Sequence, residues 1–388
     1  MPPTVTRSQV LACRVAAQQL DRAPGTTMLA EARVLDLGAQ DTGADAAAWA
    51  LTIRGVALTA AGWPEDLALA WTLRGAPHAY RRTELADVAR AVVPYSAADA
   101  ASRIYDAARP LRAAGIAVPD AWAQVARELA RIVTDPMVKG DVSTALTPAL
   151  PEPFRRWCVP CGATHLFEQT FRLPALHAGL VLAARSSPPV LTPVPEIPAE
   201  HRESLAEQVA TPPGERGVPA HLDPVRAYLG LLGPARPADV AGYLDAPVAD
   251  VRRRWRELAD GGELAEVDVD GQPRWSLARD LDTLLATRPP APAAATVRLL
   301  GPHDLFLQAR DRELLVPDAD RRRALWPTLG RPGAVLAGGE VIGTWRPRAS
   351  GGRLTVRTDA WVRWDARVRD AVDEQVASLA AFRGLRAA

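Results

Sequence analysis

The sequence predicts an α+β fold, mainly α, with winged helix-turn-helix organisation and a β-rich C-terminal part. Three observations predict it. Between residues 223 and 287 three helical stripes are followed by two strand patterns around Asp270-Gly271, the order of a winged helix. Past residue 296, Gly338-Gly339 and Gly351-Gly352 punctuate alternating apolar runs, as hairpins require. Earlier in the chain, Trp122, Val125, Leu129 and Val133 share one helical face, which marks a long amphipathic helix.

At 388 residues the chain suits three or four structural units. With 48% hydrophobic and 23% charged residues it reads as a soluble globular protein. No run of about eighteen apolar residues occurs, so a spanning helix is not expected. Met1-Pro2-Pro3-Thr4 lacks the apolar core of a signal peptide, and a cytoplasmic location is the expectation. Cys13, Cys158 and Cys161 are too few for a disulfide framework. A net charge of +1 places any nucleic-acid face in local clusters of cations and not in a global excess. Lys139 is the only lysine; the guanidinium forks of the remaining basic residues suit phosphate, and genomic base composition is the alternative explanation.

Taken in order, Thr6 and Gln9 have the spacing of a capping box, and Val10, Leu11 and Val15 make the apolar side of the first helix. Val34 to Gly43 brings an apolar segment to Gln40 and Asp41, turns on glycine and continues as an Ala-rich helix. Leu67 to Leu73 reads as a strand. Pro136 stops the helix through Trp122, and Gly140 is expected to turn the chain between two helices. Eight prolines between Ser186 and Pro219 indicate a linker, and a second proline-alanine linker covers Arg288 to Ala295. Val225, Tyr228, Leu229 and Leu232 form the next stripe, then Val240, Ala241 and Leu244, then Val251, Trp255 and Leu258, with Arg252, Arg253 and Arg256 on the outer side. A final helix carries Val368, Val372, Val376, Leu379 and Phe382.

The stretches "VLDLGAQDTG", "RGAPH", "LLGPHDLFLQARDRELL" and "VLAGGEVIGTWRPR" resemble the winged-helix DNA glycosylases of the AlkZ/YcaQ family. The resemblance implies three tandem winged helix-turn-helix units, residues 1–95, 96–190 and 223–287, with a Pro-rich linker at 191–222 and a C-terminal β-barrel-like domain with a terminal helix at 296–388. It implies double-stranded DNA as partner, and excision of alkylated or bulky purines by hydrolysis of the N-glycosidic bond. In the family a Gln-x-Gln or Gln-x-Asp signature lies over that bond. Gln40 falls on its second position and Gly38 on its first, so Gln40 and Asp41 are the catalytic candidates. Arg74, His78 and Lys139 would lie nearer the DNA, with Arg252, Arg253 and Arg256 as further contacts.

Each feature also has a plainer reading. Gln40 and Asp41 are equally read as capping the following helix, His78 as a core histidine, and the arginine run as a solvated face. Cys158-x-x-Cys161 with His165 is half of a zinc site lacking a second ligand pair, so neither a metal nor another cofactor is expected. The alternatives to a glycosylase are a non-catalytic winged-helix DNA-binding protein or regulator that has lost the first glutamine, and a scaffold with no nucleic-acid role.

Overall fold

Thr6 keeps the extended conformation, its hydroxyl accepts from the Gln9 N–H and the Gln9 side chain accepts from the Thr6 N–H, so the first helix, Arg7–Ala17, starts on a complete capping box. Val10 and Leu11 face the interior as the periodicity requires. Arg14 and Gln18 are buried beside them, where a polar residue costs free energy unless it is hydrogen-bonded. Arg14 is paired with Asp311 (Nη2–Oδ2 2.6 Å), and the Gln18 amide donates to the Leu231 carbonyl and accepts from Arg54.

The computed structural model describes residues 1–43, 45–291 and 295–388. They form two units, each assembled from separated segments: residues 1–64, 226–240 and 258–388, and residues 65–225 and 241–257. The mixed α/β content agrees with the expected class, and no helix among the described residues is long and apolar enough to cross a membrane.

In the first unit, the strands Val297–Leu300, Gly333–Ala337, Glu340–Ser350, Arg353–Ala360 and Arg386–Ala387 form a five-stranded sheet in that order, curled into half a barrel. Gly338 and Gly339, with φ of 56° and 97°, make the tight turn predicted for them. The C-terminal helix Ala366–Phe382 lays Val372, Leu379 and Phe382 against this sheet, in one core with Val10, Leu11, Trp49 and Trp345. The strands Leu264–Val269 and Gln272–Leu277 pair around Asp270 and Gly271, both at positive φ, and Thr4–Val5 adds a parallel third strand. Of the second proline-alanine linker, Pro292, Ala293 and Ala294 lie outside the described residues.

In the second unit, Leu67–Trp71 is buried along its whole length and pairs with Pro77–Arg81 on one side and Leu180–Leu182 on the other; Val190–Pro193 and Met137–Val138 continue the sheet. The helix Val118–Ile132 buries Trp122, Val125 and Leu129, the stripe read from the sequence.

Two local expectations are corrected. Gly140 makes no turn: the chain bends at Thr134 and Asp135, passes through the two-residue strand Met137–Val138, and Gly140 sits in the first turn of the helix Lys139–Ala149, where a glycine needs no left-handed backbone. The proline-rich stretch 191–222 is not a bare linker. It carries the helices Ala199–Glu203 and Leu205–Ala210 and buries Leu191, Ile197, Leu205 and Val209, while the Arg216 guanidinium, also buried, donates to the Val93 and Pro94 carbonyls at 2.8 Å each. Sparse apolar residues were enough, because these four are buried and Val194 and Val218 pack partly buried beside the core.

Candidate functional site

The Gln40 motif belongs to the first unit. After a 3-10 turn at Arg33–Asp36 the chain turns at Gly38, whose φ of 83° lies in the left-handed region. A side chain there is strained, which favours glycine at this position. Ala39–Gln40 is extended, and the Gln40 amide, half-buried, donates to the Thr42 hydroxyl at 2.8 Å. Asp41 turns the other way: its carboxylate accepts from the Ala47 N–H at 2.9 Å, in the first turn of the helix Ala46–Thr52. The plainer reading, in which this pair caps the helix, thus holds for Asp41 geometrically, while Gln40 makes its side-chain bond outside the helix. Asp45 pairs instead with Arg383 at 2.7 Å.

This helix is fixed from behind. The Trp49 indole donates to the Leu299 carbonyl at 2.8 Å and its ring lies 5.3 Å from that of Phe382. Arg54 is fully buried and grips Asp304 with two bonds of 2.7 and 2.8 Å, with further bonds to the Ala50 carbonyl and the Gln18 amide oxygen. Both charges are removed from water, and the bidentate geometry offsets the desolvation. The helix that follows the Gln40 loop is thus held by buried hydrogen bonds and ring packing.

The second unit gathers Arg74 and Lys139 around the short helix Glu168–Arg172. Gly75 has φ of 65°, and a Cβ there would fall on the Gln169 amide, so the Arg74-Gly75 turn admits no larger residue at its second position. Gln169 donates to the Arg74 carbonyl and Arg172 to the Gly75 carbonyl, both at 3.2 Å. Glu168 accepts from Arg172 and from Lys139. Burial opposes its charge, but the hydrogen bond from Lys139 and the positive charge of Arg172 hold its carboxyl below the usual range. The Arg74 guanidinium lies 4.5 Å from the Tyr243 ring centroid and donates to the Tyr243 carbonyl. His78 is 1% exposed, its Nδ1 within 3.0 Å of the Thr72 hydroxyl and the Ala76 carbonyl. That is the setting of a core histidine, and a phosphate reaches it only if the surrounding turn moves.

On the helix Val248–Asp260, Val251, Trp255 and Leu258 are buried and Arg252, Arg253 and Arg256 exposed, as the periodicity requires. Arg253 donates to the Tyr95 carbonyl and pairs with Asp250. Arg254, absent from the sequence reasoning, is buried between Asp223 and Glu257.

Another feature escaped the sequence reasoning. A cavity of about 700 Å³ in the first unit is lined by seven arginines, Arg310, Arg312 and Arg322 among them, against Asp270, Asp311 and Glu313. Arg312 lies 4.9 Å from the Trp326 ring centroid; burial, then the neighbouring Arg310 and Arg331, push its pKa down. The signal was the density of arginine in "QARDRELL" and "DRRRALW", which charge patterning alone reads as solvated surface.

The family model for the AlkZ-like DNA glycosylases matches residues 32–382, and the chain belongs to this family. Over 128 residues it is 31% identical to the interstrand DNA cross-link repair glycosylase of Streptomyces sahachiroi, a stretch covering 31% of this chain and 32% of that relative; the chain thus spans about a third of the length of the relative it matches. The solved structure of Streptomyces sahachiroi DNA glycosylase AlkZ superposes with a TM-score of 0.69 at 21% identity, covering 99% of both chains, which establishes a common fold.

Proposed function

We propose that the protein hydrolyses the N-glycosidic bond of cationic, alkylated purines in duplex DNA, with Gln40 orienting the attacking water. The observation that carries this reading is the Gln40 amide, half-buried at the second signature position on a turn whose base is bolted down by Trp49 and Arg54. A purine alkylated at N7 or N3 already bears positive charge and departs without much acid assistance, so the chemistry needs a placed water and stabilisation of an oxocarbenium-like sugar. Asp41, through its bond to Ala47, holds the turn and is a positioning residue in this scheme. The base is reached by flipping or by wrapping the duplex.

DNA contacts are assigned to Arg74, Lys139, Arg252, Arg253 and Arg256 and, as an addition, to the arginines of the cavity near Arg312. The helices Pro224–Leu232, Pro237–Leu244 and Val248–Asp260, followed by the hairpin 264–277, have the order of a winged helix, and we read 1–95 and 96–190 as two further such units.

A second reading has a specific observation in its favour. Glycine at 38, with φ of 83°, removes the first signature side chain, and a DNA-binding protein that keeps the scaffold without chemistry fits that loss. One experiment separates the readings. Duplexes carrying N7-alkylguanine, N3-alkyladenine or an interstrand crosslink are incubated with the protein and scored for alkali-labile abasic sites, with anisotropy at rising salt run in parallel. Base release with salt-sensitive affinity supports the glycosylase; salt-sensitive affinity without release supports the binder; no affinity for any duplex defeats both.

A further inference from the structure

The hairpin at residues 155–166 carries a group of side chains that the proposed reaction does not use. Arg155–Cys158 and Ala163–Leu166 pair antiparallel, with Arg156 opposite His165 and Cys158 opposite Ala163, and they form a sheet of only two strands. The loop Val159-Pro160-Cys161-Gly162 closes with Gly162 at φ 59° and returns Cys161 toward Cys158. The ligand atoms of Cys158, Cys161 and His165 consequently all lie within 4.8 Å of one another.

The imidazole is already oriented. His165 Nδ1 lies 2.6 Å from the Leu166 carbonyl, so Nδ1 bears the proton and Nε2 keeps the lone pair. A backbone carbonyl holding one ring nitrogen while the other binds is the usual support of a metal-bound histidine. Little apolar burial holds the hairpin: Leu166 is its only buried residue, Trp157 and Val159 are exposed at 63% and 80%, and its anchors are polar, Arg155 donating to the Leu150 carbonyl and Arg156 lying over the Phe167 ring. An isolated two-stranded hairpin is marginal in water, and a metal clip is a standard substitute for a core.

We propose that Cys158, Cys161 and His165 bind one zinc ion, through two thiolates and the His165 Nε2, and that the ion staples this hairpin. Two soft sulfur ligands and one imidazole select zinc over the oxygen-preferring cations. Glu168 gives its Oε1 to both Lys139 and Arg172 and is not among the clustered ligand atoms, and the three protein ligands leave the fourth position to water. Cysteine spacing alone pointed to a metal-free pair because it supplied no second pair of ligands. The spacing already included His165 as a third ligand; what the fold adds is that the three ligand atoms meet in one cluster across the hairpin.

The test uses the full-length protein, purified without chelator and again after chelation. The expected result is about one zinc per chain by elemental mass spectrometry, and two additional thiols titrated after chelation. Refilling with cobalt should give thiolate-to-metal charge-transfer bands. Cys161→Ser and His165→Ala should each lower the bound metal at least tenfold, while Cys13→Ser leaves it unchanged. Protein that takes up neither zinc nor cobalt, or that is isolated with Cys158 and Cys161 as a disulfide and takes up no metal after reduction, overturns the proposal.

Discussion

Acidification should destabilise the second unit through two buried histidines. His177 and His201 stack with ring centroids 5.1 Å apart and share a hydrogen bond of 2.8 Å, at 1% and 7% exposure. Trp122 lies against His177, and the Gln208 amide lies 3.3 Å from His201 Nδ1. The charges acting on the pair are all positive: Arg103 and Arg216 on His177, Arg90 on His201. Burial first, then Arg90, hold His201 down from 6.5 to about 4, and burial, then His201 itself, hold His177 well below 6.5. In the unfolded chain these imidazoles take up protons near pH 6.5, so between there and about 4 the unfolded state binds more protons than the folded one. Stability therefore rises with pH in that window and falls as pH drops through it. From about pH 7 to about pH 5, His201 alone should remove ~2 kcal/mol. Urea unfolding of the parent and of His201→Gln at both pH values isolates the effect, since glutamine can still bond to His177 without titrating. The variant should lose about 2 kcal/mol less than the parent on acidification. Equal losses in the two proteins would refute the assignment of the window to this pair.

Two further substitutions probe the first unit. Asp311→Ala removes the carboxylate that accepts from Arg14 at 2.6 Å and from Arg274 at 3.0 Å; leaving these guanidiniums buried should cost ~3–5 kcal/mol in chemical denaturation, and a loss below about 1 kcal/mol would show the site to be wet. Gly38→Gln restores the signature side chain at a φ of 83°; it should cost roughly 1–2 kcal/mol without raising base release, whereas unchanged stability with faster release would mean that the missing glutamine, and not the backbone, limits activity.

Local signals were readable in the sequence. Thr6 with Gln9, Asp270-Gly271 and Gly338-Gly339 fold as their residue types dictate, because each depends on bonds and dihedrals a few residues apart. The stripe through Trp122 was equally legible, since burial on a helix has a period. What escaped depends on distant partners. Arg14 and Gln18 are buried polar residues whose partners, Asp311, Arg54 and the Leu231 carbonyl, lie far away in the sequence. Gly140 looked like a turn because its helix starts immediately before it. For the candidate site, the sequence singled out Gln40 and Asp41 together. Their different bonds, to Thr42 and to Ala47, follow from the direction of the turn after Gly38, which residue types alone do not specify. The cavity at Arg312 likewise follows from chain reversals that charge runs do not encode, whereas the grouping of His165 with the two cysteines was already legible in their spacing.

The central claim is that the Gln40 amide places the attacking water. Single-turnover release of N7-alkylguanine from a duplex, measured for the parent and for Gln40→Ala alongside anisotropy on the same duplex, tests it directly. The account predicts slow but measurable release by the parent, a loss of about 100- to 1,000-fold in Gln40→Ala, and equal DNA affinity for the two, since the contact belongs to the transition state. Release by Gln40→Ala at the parent's rate, or by the parent at the rate of an enzyme-free control, would contradict it.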